Sequence, residues 1–226
     1  MKSNIGLVEY AKAQLGRPYW FGTFGQTATQ ALYDYNKARL LKYYTASDFP
    51  SQFGQRVHDC IGLVKGYLWS DGPDATPAYR ASPCAIDHNA DSMRAACKTS
   101  GAISTIPEMP GVLVFATEHV GVYIGGGKVI EARGHAYGVV ETNLKDRAWT
   151  YWGLCPYIDY IEEDDTMTGK EIYEALNNYT STLTVPDWAQ AEFQEAIKAG
   201  ITDGSNPMQP IPRYQAAIMA LRASKK

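Results

Sequence analysis

The chain has 226 residues, of which 45% are apolar and 20% charged, and a formal net charge of −3 at pH 7. That length suits one domain with a substantial core plus a small second module. No run of 18 apolar residues occurs, which excludes a membrane-spanning helix. No basic stripe is present to neutralise phosphates, which argues against nucleic acid as a partner. The charge is uneven: residues 1–160 carry 15 Lys and Arg against 14 Asp and Glu, and residues 161–226 carry 6 against 10.

The N-terminus, MKSNIGLVEYAKAQLG, lacks an apolar segment followed by a small-residue cleavage site. It reads as an amphipathic helix over Ile5–Leu15 and not as a signal peptide, so synthesis and initial retention in a reducing cytosol are expected. Gly16 and Pro18 mark the helix stop. After the Gly- and aromatic-rich GRPYWFGTFGQ, a helix is predicted around Thr27–Lys42, then the turn-rich TASDFPSQFGQ. Asp59 caps a helix beginning at Cys60, with Leu63, Val64, Tyr67 and Leu68 as its buried stripe. Residues 70–88 read as loop, punctuated by Pro73, Pro77 and Pro83, and Asn89–Thr99 as a short helix.

From residue 111 the apolar period changes from 3.6 to 2. GVLVFA, HVGVYIG, KVIEARG, GVVETNL and GLCPYIDYI predict five strands, and IGGGK is a hairpin signal. Helices followed by a meandering antiparallel sheet indicate an α+β domain over 1–160. Residues 161–167 form an acidic linker. Residues 168–226 read as an all-α module of three helices: one opened by a capping box at Thr168–Glu171, one within VPDWAQAEFQEAIKAG, and one carrying Tyr214, Ala217, Ile218 and Leu221 on a face.

Cys60, Cys84, Cys97 and Cys155 show no C-x-x-C and no Cys/His cluster, so neither a zinc site nor a disulfide framework is expected, and no cofactor is called for. A cysteine acts as a nucleophile only as thiolate, and a helix N-terminus beside a histidine lowers its pKa most. Cys60 alone is placed so; Cys97 falls inside a short helix, Cys84 in a loop and Cys155 on a strand. Of His58, His88, His119 and His135, His119 alone opens a well-formed strand. Glu131 lies twelve residues on, across the GGG hairpin, roughly opposite His119 and within hydrogen-bond reach. Cys60, His119 and Glu131 thus supply nucleophile, base and orienter. His58 and His88 read as surface or packing residues, and DGPD and GGG as turns and not ion or phosphate loops.

These residues carry a resemblance. DCIGLV, PGVLVFATEHVGVYIGGGKVIEA and AKAQLGRPYWFGT resemble the three sequence blocks of the NlpC-type cell-wall cysteine peptidases, in family order, over residues 7–132. The resemblance implies a papain-like fold, N-terminal helices on a five-stranded antiparallel sheet, and hydrolysis of an amide bond in the peptidoglycan stem peptide. The D-γ-glutamyl–diamino acid bond is the one it favours. It makes Cys60 the nucleophile, His119 the base and later acid, and Glu131 the third polar residue. Tyr19, Trp20 and Asp59 are expected on the substrate side.

The chain departs from the family pattern at several points. Ile61 stands where the family has Ser or Ala, Val112 replaces the Asp of P-G-D, and Glu131 replaces the commoner His. A carboxylate there is expected to favour protonated His119 as an ion pair, and His135 is an alternative third residue. Residues 23–58 form an insertion rich in Tyr and Phe (Phe24, Tyr33, Tyr35, Tyr43, Tyr44, Phe49, Phe53), read either as a groove wall or as packing onto the domain. In the C-terminal module, W-A, G-I-x-D-G and P-x-R resemble a single surface-layer-homology-like motif, which implies wall binding; a structural or dimerising role is the alternative.

The sequence therefore points to a peptidoglycan hydrolase, with the absent signal peptide suggesting a phage or prophage endolysin that acts on the wall after release. A monomer is favoured. The same residues serve an N-acetylmuramoyl-L-alanine amidase equally well. A non-catalytic wall-binding protein and a lipid-directed acyltransferase are the readings from other classes.

Overall fold

The computed structural model describes residues 2–161, 169–205, 207–208 and 213–223. They fall into two compact units, Met1–Glu162 and Glu163–Lys226.

In the first unit, α1 (Asn4–Ala13) starts at Ser3, whose side chain accepts from the Gly6 amide. Gly16, at φ 80°, turns the chain where the sequence predicts a stop. The expected Thr27–Lys42 helix is shorter. Phe24–Thr27 is a strand, β1, and α2 covers Gln30–Arg39 behind the Thr29 cap. β1 pairs antiparallel with β2 (Arg56–His58), so the insertion closes as a two-stranded ribbon. α3 (Cys60–Trp69) follows directly, then the loop, then α4 (Ala90–Ala96) behind the Asn89 cap. Cys97 ends α4 in an extended conformation instead of lying within it.

The main sheet has six strands, one more than expected: β3 (Ser100–Ala102), β4 (Leu113–Ala116), β5 (His119–Gly125), β6 (Lys128–Ala132), β7 (Val139–Asn143) and β8 (Tyr151–Gly153). Their order is β3-β8-β4-β5-β6-β7, antiparallel throughout. The predicted strand GLCPYIDYI is displaced to Tyr151–Gly153, and Cys155 lies outside any strand. Pro156 supplies the reason, because it has no N–H to donate to a ladder. Gly125, Gly126 and Gly127 all take positive φ in the β5–β6 turn, as the hairpin signal requires.

Alternation divides the sheet into two faces. Val120, Val122, Ile130 and Ala132 join Leu63, Val64 and Leu68 of α3 in one core. Val112, Val114, Tyr123, Val129 and Trp149 form another. α3 is buried all round and not only along the predicted stripe, because α1, β1 and the sheet all pack on it.

The second unit contains α5 (Gly169–Ser181), α6 (Gln190–Lys198) and α7 (Arg213–Ala223). Gly200, at φ 68°, follows α6 at its predicted stop. The cap at Thr168, residues 162–167 of the expected linker and the helix-opening Pro212 lie outside the described residues. On α7, Ile218 and Leu221 of the predicted stripe are exposed. Among the described residues, no helix is long and apolar enough to cross a membrane.

Candidate active site

The thiol of Cys60 sits at the first residue of α3, fixed by Asp59. One Asp59 carboxylate oxygen accepts from the Gly62 amide at 2.6 Å, and the other accepts from the Gly22 amide at 2.8 Å. The N-cap therefore ties the helix start to the segment that carries Tyr19. Gly62 permits a close approach, since a Cβ there would lie 1.8 Å from the Thr23 carbonyl oxygen. Cys60 Sγ donates to the Glu118 carbonyl at 3.8 Å. Burial pushes the thiol up to about 12, reinforced by the Asp59 charge; the backbone amides of Ile61, Val120 and Cys60 pull the other way. Burial of the thiol thus opposes the pull of the helix N-terminus toward thiolate.

Cys60 opens onto a cleft of about 360 Å³. Tyr19, Phe21 and Tyr43 form its aromatic wall, with Phe21 and Tyr43 stacked at 3.7 Å. Asp91 and Glu118 add carboxylates, and Ile61 narrows the floor.

His119 opens β5 with its Nε2 2.7 Å from Glu131 Oε2. Val122 faces Ile130 and Tyr123 faces Val129. Glu131 therefore falls opposite Gly121 and diagonal to His119, two residues off the directly opposed pairing that the sequence suggests. The imidazole stacks on Trp149, with centroids 5.5 Å apart and an interplanar angle of 13°. Gly121 makes the stack possible, since a Cβ there would meet Val129 at 2.6 Å and the Trp149 ring at 3.0 Å.

Glu131 is fully buried and fully engaged. Besides His119 it accepts from Thr142 Oγ1 at 2.9 Å, from Arg147 Nε at 2.8 Å and from Arg147 Nη2 at 3.0 Å. Burial raises its carboxyl pKa, yet the bonds from His119, Arg147 and Thr142 outweigh it and hold the group below the usual glutamate range.

The sequence-predicted residues are thus brought together in two halves. His119 and Glu131 form one hydrogen-bonded unit, and the Cys60 thiol rests against the β5 backbone on either side of His119. The hydrogen-bond partner of the thiol is a carbonyl and not the imidazole, and His119 lines its own depression with Ala116, Thr117, Arg147, Ala148 and Trp149. Tyr19 and Asp59 line the Cys60 cleft. Trp20 does not: it is fully buried and donates to Gln52 Oε1 at 2.6 Å. Tyr33, Tyr44, Phe49 and Phe53 of the insertion pack around it, Phe24 joins the α3 core, and Tyr43 alone of the seven reaches the cleft.

His135 does not approach Glu131's place; its Nε2 lies 2.7 Å from Asp48 and its ring stacks on Phe49. His58 and His88 are buried packing residues, and Val112 is core. Arg147, Thr142 and Trp149 carry no signal in the sequence, because Thr142 reaches Glu131 only through the β6–β7 pairing, and Arg147 and Trp149 only through the turn after β7. Among the described residues, no three His, Cys, Asp or Glu are grouped as a metal would need.

No protein-family model matches the sequence, and no curated protein matches it. Solved structures do resemble the chain. The NlpC/p60 domain of the peptidoglycan hydrolase SagA matches 67% of this chain and 98% of its own, at 16% identity and a TM-score of 0.39. The peptidoglycan hydrolase RipB from Mycobacterium tuberculosis matches 70% of this chain and 65% of its own, at 18% identity and a TM-score of 0.43. The P60 domain of an antigen of M. avium subspecies paratuberculosis matches 70% and 96%, at 20% identity and a TM-score of 0.43.

Proposed function

We propose that the chain is a thiol hydrolase that cleaves an amide bond in the peptidoglycan stem peptide. The observation that carries the reading is the pairing of a capped helix-start cysteine, Cys60, with a strand-start histidine whose Nε2 is held by a buried carboxylate. A histidine oriented through Nε2 has Nδ1 available as a base. In the reaction, the Cys60 proton passes to His119 as Sγ bonds the substrate carbonyl carbon, and the backbone amides at the start of α3 receive the oxyanion. The imidazolium gives that proton to the departing amine as the C–N bond breaks. Water then cleaves the thioester, with His119 as base again. His119 acts as the general base for the thiol and then as the general acid for the leaving amine.

The bond favoured is D-γ-glutamyl–diamino acid, with the N-acetylmuramoyl-L-alanine bond as the alternative, and the biological setting a phage or prophage endolysin working on the wall after release. A second reading, wall binding without turnover, draws on the Cys60–Glu118 hydrogen bond and on the bulk of Ile61 in the cleft.

Digestion of purified sacculi of meso-diaminopimelate and lysine types by wild type and Cys60→Ala separates the readings. Fragments released by the wild type alone, identified by mass, support hydrolysis and name the bond. Co-sedimentation of both proteins with no release by either supports binding.

A further inference from the structure

Glu131 orients an imidazole that must start neutral. A buried carboxylate facing the ring stabilises the imidazolium that forms when the proton is accepted, and left unbalanced it would also favour that form before the reaction. The structure contains a counterweight. Arg147 grips both oxygens of Glu131, Nε on Oε1 at 2.8 Å and Nη2 on Oε2 at 3.0 Å, and Oε2 is the atom that holds His119. The guanidinium also lies 5.9 Å over the ring of Trp149, whose plane stacks on the imidazole. Two planar contacts thus fix Arg147 against both neighbours of His119.

Resting on the hydrolase reading above, we propose that Arg147 is a positioning residue for the reaction. It clamps Glu131 in the one orientation that aims Oε2 at His119, and it balances the carboxylate so that the Glu131–Arg147 pair acts as a net-neutral orienter. The forked geometry is specific to arginine, since an ammonium is a point charge and cannot hold both oxygens in register.

The charged and titratable groups facing His119 are few. β6 contributes Glu131 and the segment before β8 contributes Arg147; Glu118 precedes His119 in the chain and lines the Cys60 cleft, and the Cys60 thiol bonds the Glu118 carbonyl. Thr142 on β7 is neutral, and Trp149 has no charge to gain. Removing Arg147 leaves Glu131 as the dominant charge on the imidazole, which must then titrate higher.

The test is an NMR titration of the His119 ring in four full-length proteins: wild type, Arg147→Met, Glu131→Gln, and the Glu131→Gln/Arg147→Met double variant. Loss of Arg147 moves the ring titration to higher pH on either background, and Glu131→Gln alone moves it lower. If Arg147→Met does not fold, the comparison of Glu131→Gln with the double variant, whose orienter is neutral, still measures the arginine. Arg147→Lys keeps the charge and loses the fork: the imidazole titrates near the wild-type pH while kcat falls about tenfold. In the active protein, the acid limb of kcat/KM moves up with the imidazole in Arg147→Met. An imidazole that titrates identically with and without Arg147 overturns the proposal. The titration needs no turnover, so a protein that fails to digest sacculi refutes the hydrolase reading while leaving this outcome readable.

Discussion

In α3, every residue from Cys60 to Trp69 is buried, whereas in α5 only Thr180 is, and α6 buries none. α5 and α6 carry the more one-sided apolar pattern, whereas α3 is apolar on nearly every side. The difference lies in what is available to cover it. α3 has α1 on one flank, β1 and β2 on another and the long strands β5 and β6 beneath. In the second unit, Ile172, Tyr173, Leu176, Tyr179, Trp188 and Ile201 remain exposed, Trp188 at 82%. A helical pattern announces a face, and a core forms only where other elements close on it. The site follows the same rule, for Cys60, His119 and Glu131 all sit where elements converge.

The largest effect that sharpens this contrast is expected at Gly62. The Cβ of Gly62→Ala has no space beside the Thr23 carbonyl, so the variant loses at least ~4 kcal/mol or fails to fold. In the second unit, Trp188→Ala changes stability by about 0.5 kcal/mol or less, as befits a residue with so little to lose. Urea unfolding of the two variants measures both. Comparable losses would show that the exposed apolar face of the second unit is covered in solution.

A smaller, pH-dependent effect is expected from His58, which is buried just before α3 with its Nε2 3.1 Å from the Tyr10 hydroxyl. Burial lowers its pKa from 6.5 to about 3, with Arg56 and Arg17 adding to the shift. The unfolded chain therefore takes up a proton below pH 6.5 that the folded chain refuses. The stability His58 contributes is complete above that pH and is lost as pH falls toward 3, with a slope approaching ~1.4 kcal/mol per pH unit. His58→Gln removes that slope, and urea unfolding at pH 7, 5.5 and 4.5 reveals it as a narrowing gap between the two proteins. Parallel curves would mean that His58 gains a proton without unfolding the chain.

Much of the site was legible because it rests on local chemistry. Asp59 before an apolar helix is a cap wherever it occurs, and three glycines between alternating strands make a hairpin, so Cys60, His119 and Glu131 could be placed from short stretches. What escaped is non-local. The β3–β8 pairing joins Gly101 to Trp152 across fifty residues, and nothing in either three-residue strand announces the other. Arg147 and Trp149 reach Glu131 and His119 through a turn whose direction periodicity does not encode. Trp20 was misplaced because a motif position gives proximity to the cleft but not side-chain direction, and the aromatics of the insertion claim it as their core.

The most direct measurement is covalent trapping with a small thiol-directed electrophile, read by peptide mass spectrometry on the wild type and His119→Ala. All four cysteines are buried, but Cys60 alone lines the aromatic cleft. The expected result is a single adduct on Cys60, forming at least about tenfold more slowly once the imidazole is removed. Labelling spread evenly over Cys84, Cys97 and Cys155, or a Cys60 rate indifferent to His119, would contradict a thiol activated by this histidine.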